Sequence, residues 1–293
     1  MLILILLIFV VLLLSGIPIV TAMGIPALLY VFLNDLPLST ISYSIFQSLY
    51  SFSLVASPMF ILLGTLINEF GETDRIFNFA KALLRKTKGY TAKVNVIVSL
   101  IFAGMSGAAV ADIGGLGQIE IKAMEDEGYD RDYAAALTAA TSVVGPIFPP
   151  SIPLLIFAVL AQVSTLRCLM AGMIPAFIIV IIMYLFVVYQ TPHKLKDDRN
   201  KINIVYEEDD SLRDATKKAL PILILVPAMI ASMLFGVFSP SEAGAASIIY
   251  LLVVEGLRGK VTFDRIKKAI LGTYKSISSL FMIISVASFF TKV

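Results

Sequence analysis

The chain has 293 residues, of which 58% are hydrophobic and only 15% charged, with a mean hydropathy of +0.90 and a formal net charge of +2. A soluble domain carries roughly 25% charged residues, and apolar surface on this scale needs lipid rather than water around it. The near-neutral balance gives no footing for nucleic-acid binding, a single cysteine rules out an internal disulfide, and one histidine argues against the usual zinc sites.

The N-terminal run Met1 to Leu14 lacks the basic start and the small-residue cleavage site of a signal peptide, so it reads as a retained membrane segment. A spanning helix needs about 20 mostly apolar residues. Candidates are 2–33 (broken near Gly16 and Pro18), 53–68, 94–118, 134–163, 168–190, 219–238, 241–254 and 273–290. Between them, 72–93 is basic through Arg75, Lys81, Arg85, Lys86, Lys88 and Lys93, and 120–132 is acidic. The segment 191–218 carries both signs, and 256–268 is basic again. Residues 75–88 and 261–271 have apolar positions at helical spacing, which suits helices lying along the membrane interface or solvated loop helices. Cys168 reads as a small buried apolar residue and His193 as a solvated loop residue.

Loop charge bears on topology, because Lys and Arg concentrate on the cytoplasmic side. If 94–118 crossed the membrane, the basic segments 72–93 and 256–268 would fall on opposite sides. If it enters and returns, 72–93, 191–218 and 256–268 all become cytoplasmic, so 94–118 is predicted to be a re-entrant hairpin. Its middle is small and polar, with five glycines in the fourteen residues 104–117. Each glycine costs a helix interior roughly 1 kcal/mol, and irregular backbone at membrane depth needs protein or water around it. The competing reading is a crossing helix packed through small residues.

Residues 134–163 hold a second interruption. Four prolines in the eight residues 146–153 cannot continue one helix. The pattern predicts a half-helix ending near Gly145, an extended crossing through 146–150, and a new half-helix capped by Ser151 with Pro153 in its first turn. Carbonyls freed at the end of the first half suit sodium, and free amides at the start of the second suit an anionic group. Ser106, Gly107, Thr138, Thr141, Ser142 and Gly145 are the candidate sodium ligands by hydroxyl or backbone oxygen. Asp112 joins them as a ligand or proton carrier, or else caps the turn and meets water at the rim. Pro149, Pro150 and Ser151 are the candidate substrate-binding residues. Glu242, after Ser239-Pro240-Ser241, reads as part of a helix N-terminal cap.

The run Met105 to Asp112, then Gly128-Tyr129-Asp130 and Ala134 through Pro153, closely resembles the large membrane subunit of the tripartite ATP-independent periplasmic (TRAP) transporters. Pro58 to Gly64 and Phe238 to Ala243 also resemble family signatures, so the likeness runs along essentially the whole chain. It implies an all-helical polytopic protein, a sodium-driven importer of an organic acid working by an elevator movement, with no cofactor. The implied partners are a small four-helix membrane subunit and a periplasmic binding protein that delivers a dicarboxylate, a sialic acid or a similar acid. The implied location is a bacterial or archaeal cell membrane, the inner one in Gram-negatives. On this reading 1–93 is mainly scaffold, 94–163 holds transport elements, 164–218 is a span and charged loop, and 219–293 begins a second repeat. Ala108 stands where the family often has serine, and the sequence ends at Val293 before a second hairpin, so it is expected to be truncated.

Three other functions compete. A sodium–anion symporter of related architecture would need no binding protein. An intramembrane enzyme would need a catalytic pair that Asp112 lacks, and a truncated chain would insert without transporting.

Overall fold

The computed structural model describes residues 2–107, 116–194 and 211–292, with the side chains at 2, 106 and 192–194 left aside. Every regular element among these residues is helical. The chain begins with α1 (Leu2–Leu14) and α2 (Ile19–Leu33), and the break between them falls at Gly16 and Pro18, where Gly16 takes a φ of +77°. There follow α3 (Ser39–Leu49), a 3-10 turn (Phe52–Val55), α4 (Ala56–Glu69) and α5 (Glu72–Leu84). Next come α6 (Tyr90–Ser106), α7 (Gln118–Glu127), α8 (Arg131–Thr141) and a 3-10 turn (Ser142–Val144). The remainder is α9 (Ile152–Leu160), α10 (Thr165–Lys194), α11 (Leu212–Leu234), α12 (Pro240–Leu257) and α13 (Phe263–Lys292).

Among the described residues five helical stretches are long and apolar enough to cross a membrane: Phe52–Glu69, Thr165–Thr191, Leu212–Leu234, Pro240–Leu257 and Phe263–Lys292. Their outward faces are apolar; on α10, Ile174, Ile178, Ile182 and Leu185 are all exposed. Such faces require lipid, and the chain is a multi-pass membrane protein. The main core lies where α4, α5, α6 and α11 meet, around Phe60, Leu63, Ile67, Ile76, Phe102 and Ile222. A smaller one joins α2 to the end of α13 through Ala27, Val31 and Phe289.

Several boundaries differ from the sequence expectation. Residues 261–271 and 273–290 form one continuous helix, α13, because no glycine–proline break separates the basic start from the apolar run. The acidic segment 120–132 contains most of α7, which buries Glu120, Met124 and Glu127 along one face. The hydrophilic segment 72–93 contains α5, whose Ile76, Phe77, Ala80 and Leu84 pack inward against α6 and α11. His193 belongs to the last turn of α10 rather than to a loop. Cys168 is only half-buried, its thiol 3.5 Å from the carbonyl of Leu154.

Two contact groups join the charged segments to other elements on either side of α5. The first joins the corner before α5 to the end of α12. Glu72 and Glu255, both buried, are ringed by Arg75, Arg258 and Lys260 at 2.5 to 3.8 Å. Arg258 also donates to the carbonyl of Lys218, at 3.2 Å, and Lys260 to that of Phe70, also at 3.2 Å. The second group brings Thr191, at the end of α10, within 3.2 Å of the Tyr129 hydroxyl and against Gly89. Glu72 at the start of α5 is thus tied to the end of α12, and Gly89 after α5 to Thr191.

Candidate solute and cation site

The site is built from helix ends. Helix α6 starts after Gly89, in the left-handed region at φ +63°, and Glu127 at the far end of α7 caps it. One Glu127 carboxylate oxygen accepts from the Tyr90 amide at 3.0 Å, and the other from the Thr91 amide at 2.8 Å and from the Thr91 hydroxyl. A carboxylate suits the positive end of a helix. Burial nonetheless raises the Glu127 pKa, opposed by the Thr91 hydroxyl, the two amides and Lys93. Burial likewise pushes the Tyr129 phenol up to about 12.

Further along, Asn95 in α6 reaches Glu120 in α7 at 3.0 Å. The start of α6 thus meets the end of α7, and the two run antiparallel as the arms of a helical hairpin.

Asn95 is a hub that the sequence did not flag. It is fully buried, and its amide nitrogen donates to Glu120 Oε2 at 3.0 Å and to Thr138 Oγ1 at 2.8 Å. Its amide oxygen accepts from Thr141 Oγ1 at 2.7 Å. Two elements of the hairpin are tied in this way to α8, the first half of the interrupted helix. The only signal available in sequence was a lone amide within the apolar run Val94 to Phe102.

Helix α8 ends at Thr141, passes through the 3-10 turn, and then turns and bends from Gly145 to Pro150 instead of crossing in extended form. Proline at 146, 149 and 150 denies the backbone donors a helix needs. The next helix starts as expected: the Ser151 side chain accepts from the Leu154 amide at 3.1 Å, and Pro153 sits in the first turn. The Ser151 hydroxyl in turn donates to the Pro146 carbonyl, which ties the two sides of the break together.

Gly107 terminates α6 at φ +61°, and a Cβ there would collide with the carbonyl oxygen of Pro150. Gly172 of α10 similarly backs onto the carbonyl of Ile147. The C-terminal end of α6 therefore meets the turn leading into α9, whereas α8 ends at Thr141 beside Asn95, about 18 Å earlier along α6.

Thr138, Thr141, Ser142, Gly145, Pro149, Pro150 and Ser151 are all buried; Thr138 and Thr141 lie against Asn95, and Pro150 lies against Gly107. The Thr141 hydroxyl donates to Asn95 and that of Ser142 to the Ala139 carbonyl at 2.9 Å, which leaves oxygen lone pairs on both. The Thr138 hydroxyl accepts from Asn95. Ser106 is the last residue of α6, while Asp112 lies outside the described residues. Among the described residues no group of three His, Cys, Asp or Glu side chains gathers as a metal site. An apolar cavity of about 170 Å³ opens between α11 and α12, lined by Met229, Phe238 and Tyr250, on elements other than those of the junction.

Residues 6–293 match the family model described as the DctM component of the tripartite ATP-independent periplasmic transporters. The chain belongs to this family. It is 37% identical over 246 residues to the sialic acid TRAP transporter large permease protein SiaM of Vibrio cholerae, covering 82% of this chain and 56% of that protein. It is 36% identical over 251 residues to the sialic acid TRAP transporter permease protein SiaT of Haemophilus influenzae, covering 85% and 40%. With the C4-dicarboxylate TRAP transporter large permease protein DctM of Rhodobacter capsulatus it shares 26% over 299 residues, covering 96% and 66%. The chain thus spans about half the length of the first two DctM-family relatives.

Proposed function

We propose that this DctM-family chain provides the permease site of a sodium-driven secondary importer of an organic acid, such as a sialic acid or a C4-dicarboxylate. The observation that carries the reading is the contact at Gly107 and Pro150, where the C-terminal end of α6 meets the turn leading into the N-terminal end of α9. C-terminal carbonyls present negative partial charge and suit sodium, while an N-terminal end favours a carboxylate. Ser106, Gly107, Asp112, Thr138, Thr141, Ser142 and Gly145 are the proposed sodium ligands. Pro149, Pro150 and Ser151 form the proposed substrate side, chiefly through backbone groups, since the Ser151 hydroxyl is engaged across the break.

The antiparallel arms α6 and α7, with both outer ends beside Thr191, support a re-entrant hairpin open toward the basic, cytoplasmic side. The hairpin and the broken helix α8–α9 form the moving part of an elevator, and the flanking spans form the scaffold. A small membrane subunit and a periplasmic binding protein complete the system, in the cytoplasmic membrane of a prokaryote.

The test is uptake of radiolabelled sialic acid and of succinate into proteoliposomes. They contain the permease expressed from its complete gene, with the small subunit and the binding protein. Uptake is expected to need an inward sodium gradient and the binding protein. Ser106→Ala, Thr141→Ala and Ser142→Ala should each raise the sodium concentration for half-maximal uptake more than they lower expression. An unchanged sodium response in all three removes the cation site from this junction, and uptake without the binding protein overturns the tripartite reading.

A further inference from the structure

Helix α3 (Ser39–Leu49) stands apart from the junction and from the transport reading. It is uncharged, as is the whole stretch from Leu36 to Asn68. At 11 residues it reaches about 16 Å, roughly half of a hydrocarbon core, so it does not span. Its inner face, with Ser44 buried and Ile41 beside Phe289 and Phe290, packs on α13. Its outer face carries Tyr43, Phe46 and Tyr50, which are 64%, 74% and 94% exposed, and Phe52 follows at 69%. The spacing 43, 46, 50 puts the three rings on one stripe.

The position of α3 follows from the spans around it. It links the end of α2 to the start of the span Phe52–Glu69, whose other end joins the basic segment 72–93. Helix α13 likewise starts in the basic segment 256–268 and runs past α3. There the Lys292 ammonium donates to Gln47 at 2.9 Å and lies 5.2 Å from the centre of the Tyr43 ring. An ammonium held beside an aromatic ring and a side-chain amide suits the level where hydrocarbon gives way to headgroups. Asp35, exposed in the turn just before α3 at φ +51°, places water at the same level.

We infer that α3 is a membrane-surface anchor, lying flat at the headgroup boundary opposite the basic segments with Tyr43, Phe46, Tyr50 and Phe52 inserted among lipids. Aromatic rings, above all those with a hydroxyl, are the side chains that partition to this boundary. A water-facing helix would carry charge where these rings stand, and a spanning face would be aliphatic, as on α10.

The sequence contains no tryptophan, so one introduced indole reports its own surroundings without background. Phe46→Trp and Tyr50→Trp would each be reconstituted, without other proteins, in phosphatidylcholine–phosphatidylglycerol vesicles. These carry nitroxide lipids labelled either near the headgroup or near the chain end. Ile182→Trp, on the exposed face of α10, serves as the deep reference. For the α3 indoles, quenching by the shallow label should exceed that by the deep label by about twofold, with the order reversed at 182. Stronger quenching by the deep label at both α3 positions overturns the inference. So does quenching by aqueous iodide alone, or protection from every quencher, which would mean that water or another protein surface covers the helix.

Discussion

Gly107 and Gly71 both sit in the left-handed region, at φ +61° and +73°, yet they should respond differently to a methyl group. At Gly71 nothing lies within 4 Å, so Gly71→Ala incurs only the backbone strain, about 1 kcal/mol. At Gly107 the same methyl meets the Pro150 carbonyl, and the end of α6 must move off the break. Uptake should be lost in Gly107→Ala at near-normal expression and retained in Gly71→Ala; equal activity of the two would detach this contact from the mechanism. Asn95 offers a second contrast. Asn95→Ala leaves Glu120, Thr138 and Thr141 each short of a buried partner, a loss of about 1–3 kcal/mol that a lowered melting temperature in detergent would register. Asn95→Asp, nearly isosteric, sets a carboxylate against Glu120 and should be at least as damaging at neutral pH. If Asn95→Asp melts with the wild type, the hub does not bind the hairpin to α8.

At the scale of elements, the hairpin depends on Glu127, which binds the end of α7 to the start of α6. Burial raises its pKa in the folded protein above the ordinary 4.5, so the folded state holds a proton that the unfolded chain releases. The stability carried by that proton is full below about 4.5 and is lost as pH rises through the raised value. Glu127→Gln has no such proton, so its melting temperature should gain on the wild type as pH is raised from about 4.5 toward neutrality. A gap that stays constant, or narrows, contradicts this. Elements of this kind were unevenly legible in the sequence. The break at 146–153 and the Ser151 cap could be read because proline and a capping serine act on their own neighbours. The Ser239–Glu242 capping box was readable for the same reason, and both of its bonds are present, at 2.8 and 3.4 Å. Helix α7 was not, since Glu120 and Glu127 look like solvated residues until the partners 25 and 36 positions earlier are in place. Helix α3 escaped notice because it is short, uncharged and rich in serine, and its aromatic stripe has meaning only beside a membrane. Asn95 has no spacing partner in its own helix, so only the fold reveals what it joins.

For the molecule as a whole, the charged ring of Glu72, Glu255, Arg75, Arg258 and Lys260 sets the frame within which the junction works. Two buried carboxylates need all three cations, because a buried charge left without a partner is strongly destabilising. Burial and the neighbouring Glu255 push the Glu72 pKa up, while the three cations pull it down. This fixes the corner before α5 against the end of α12. On the proposed function, transport depends on the break staying a break. Replacing Pro149 and Pro150 together with alanine restores two backbone donors and removes the ring clashes, which lets α8 and α9 join into one helix across Gly145 to Ser151. A continuous helix would withdraw the Pro150 carbonyl from Gly107 and close the free helix ends that the site requires. The double variant should insert and reach the membrane at wild-type levels, because the spans and the charged ring are untouched, yet show no sodium-dependent uptake. Normal uptake by that protein would mean that the interrupted helix serves packing alone and that solute and sodium bind elsewhere.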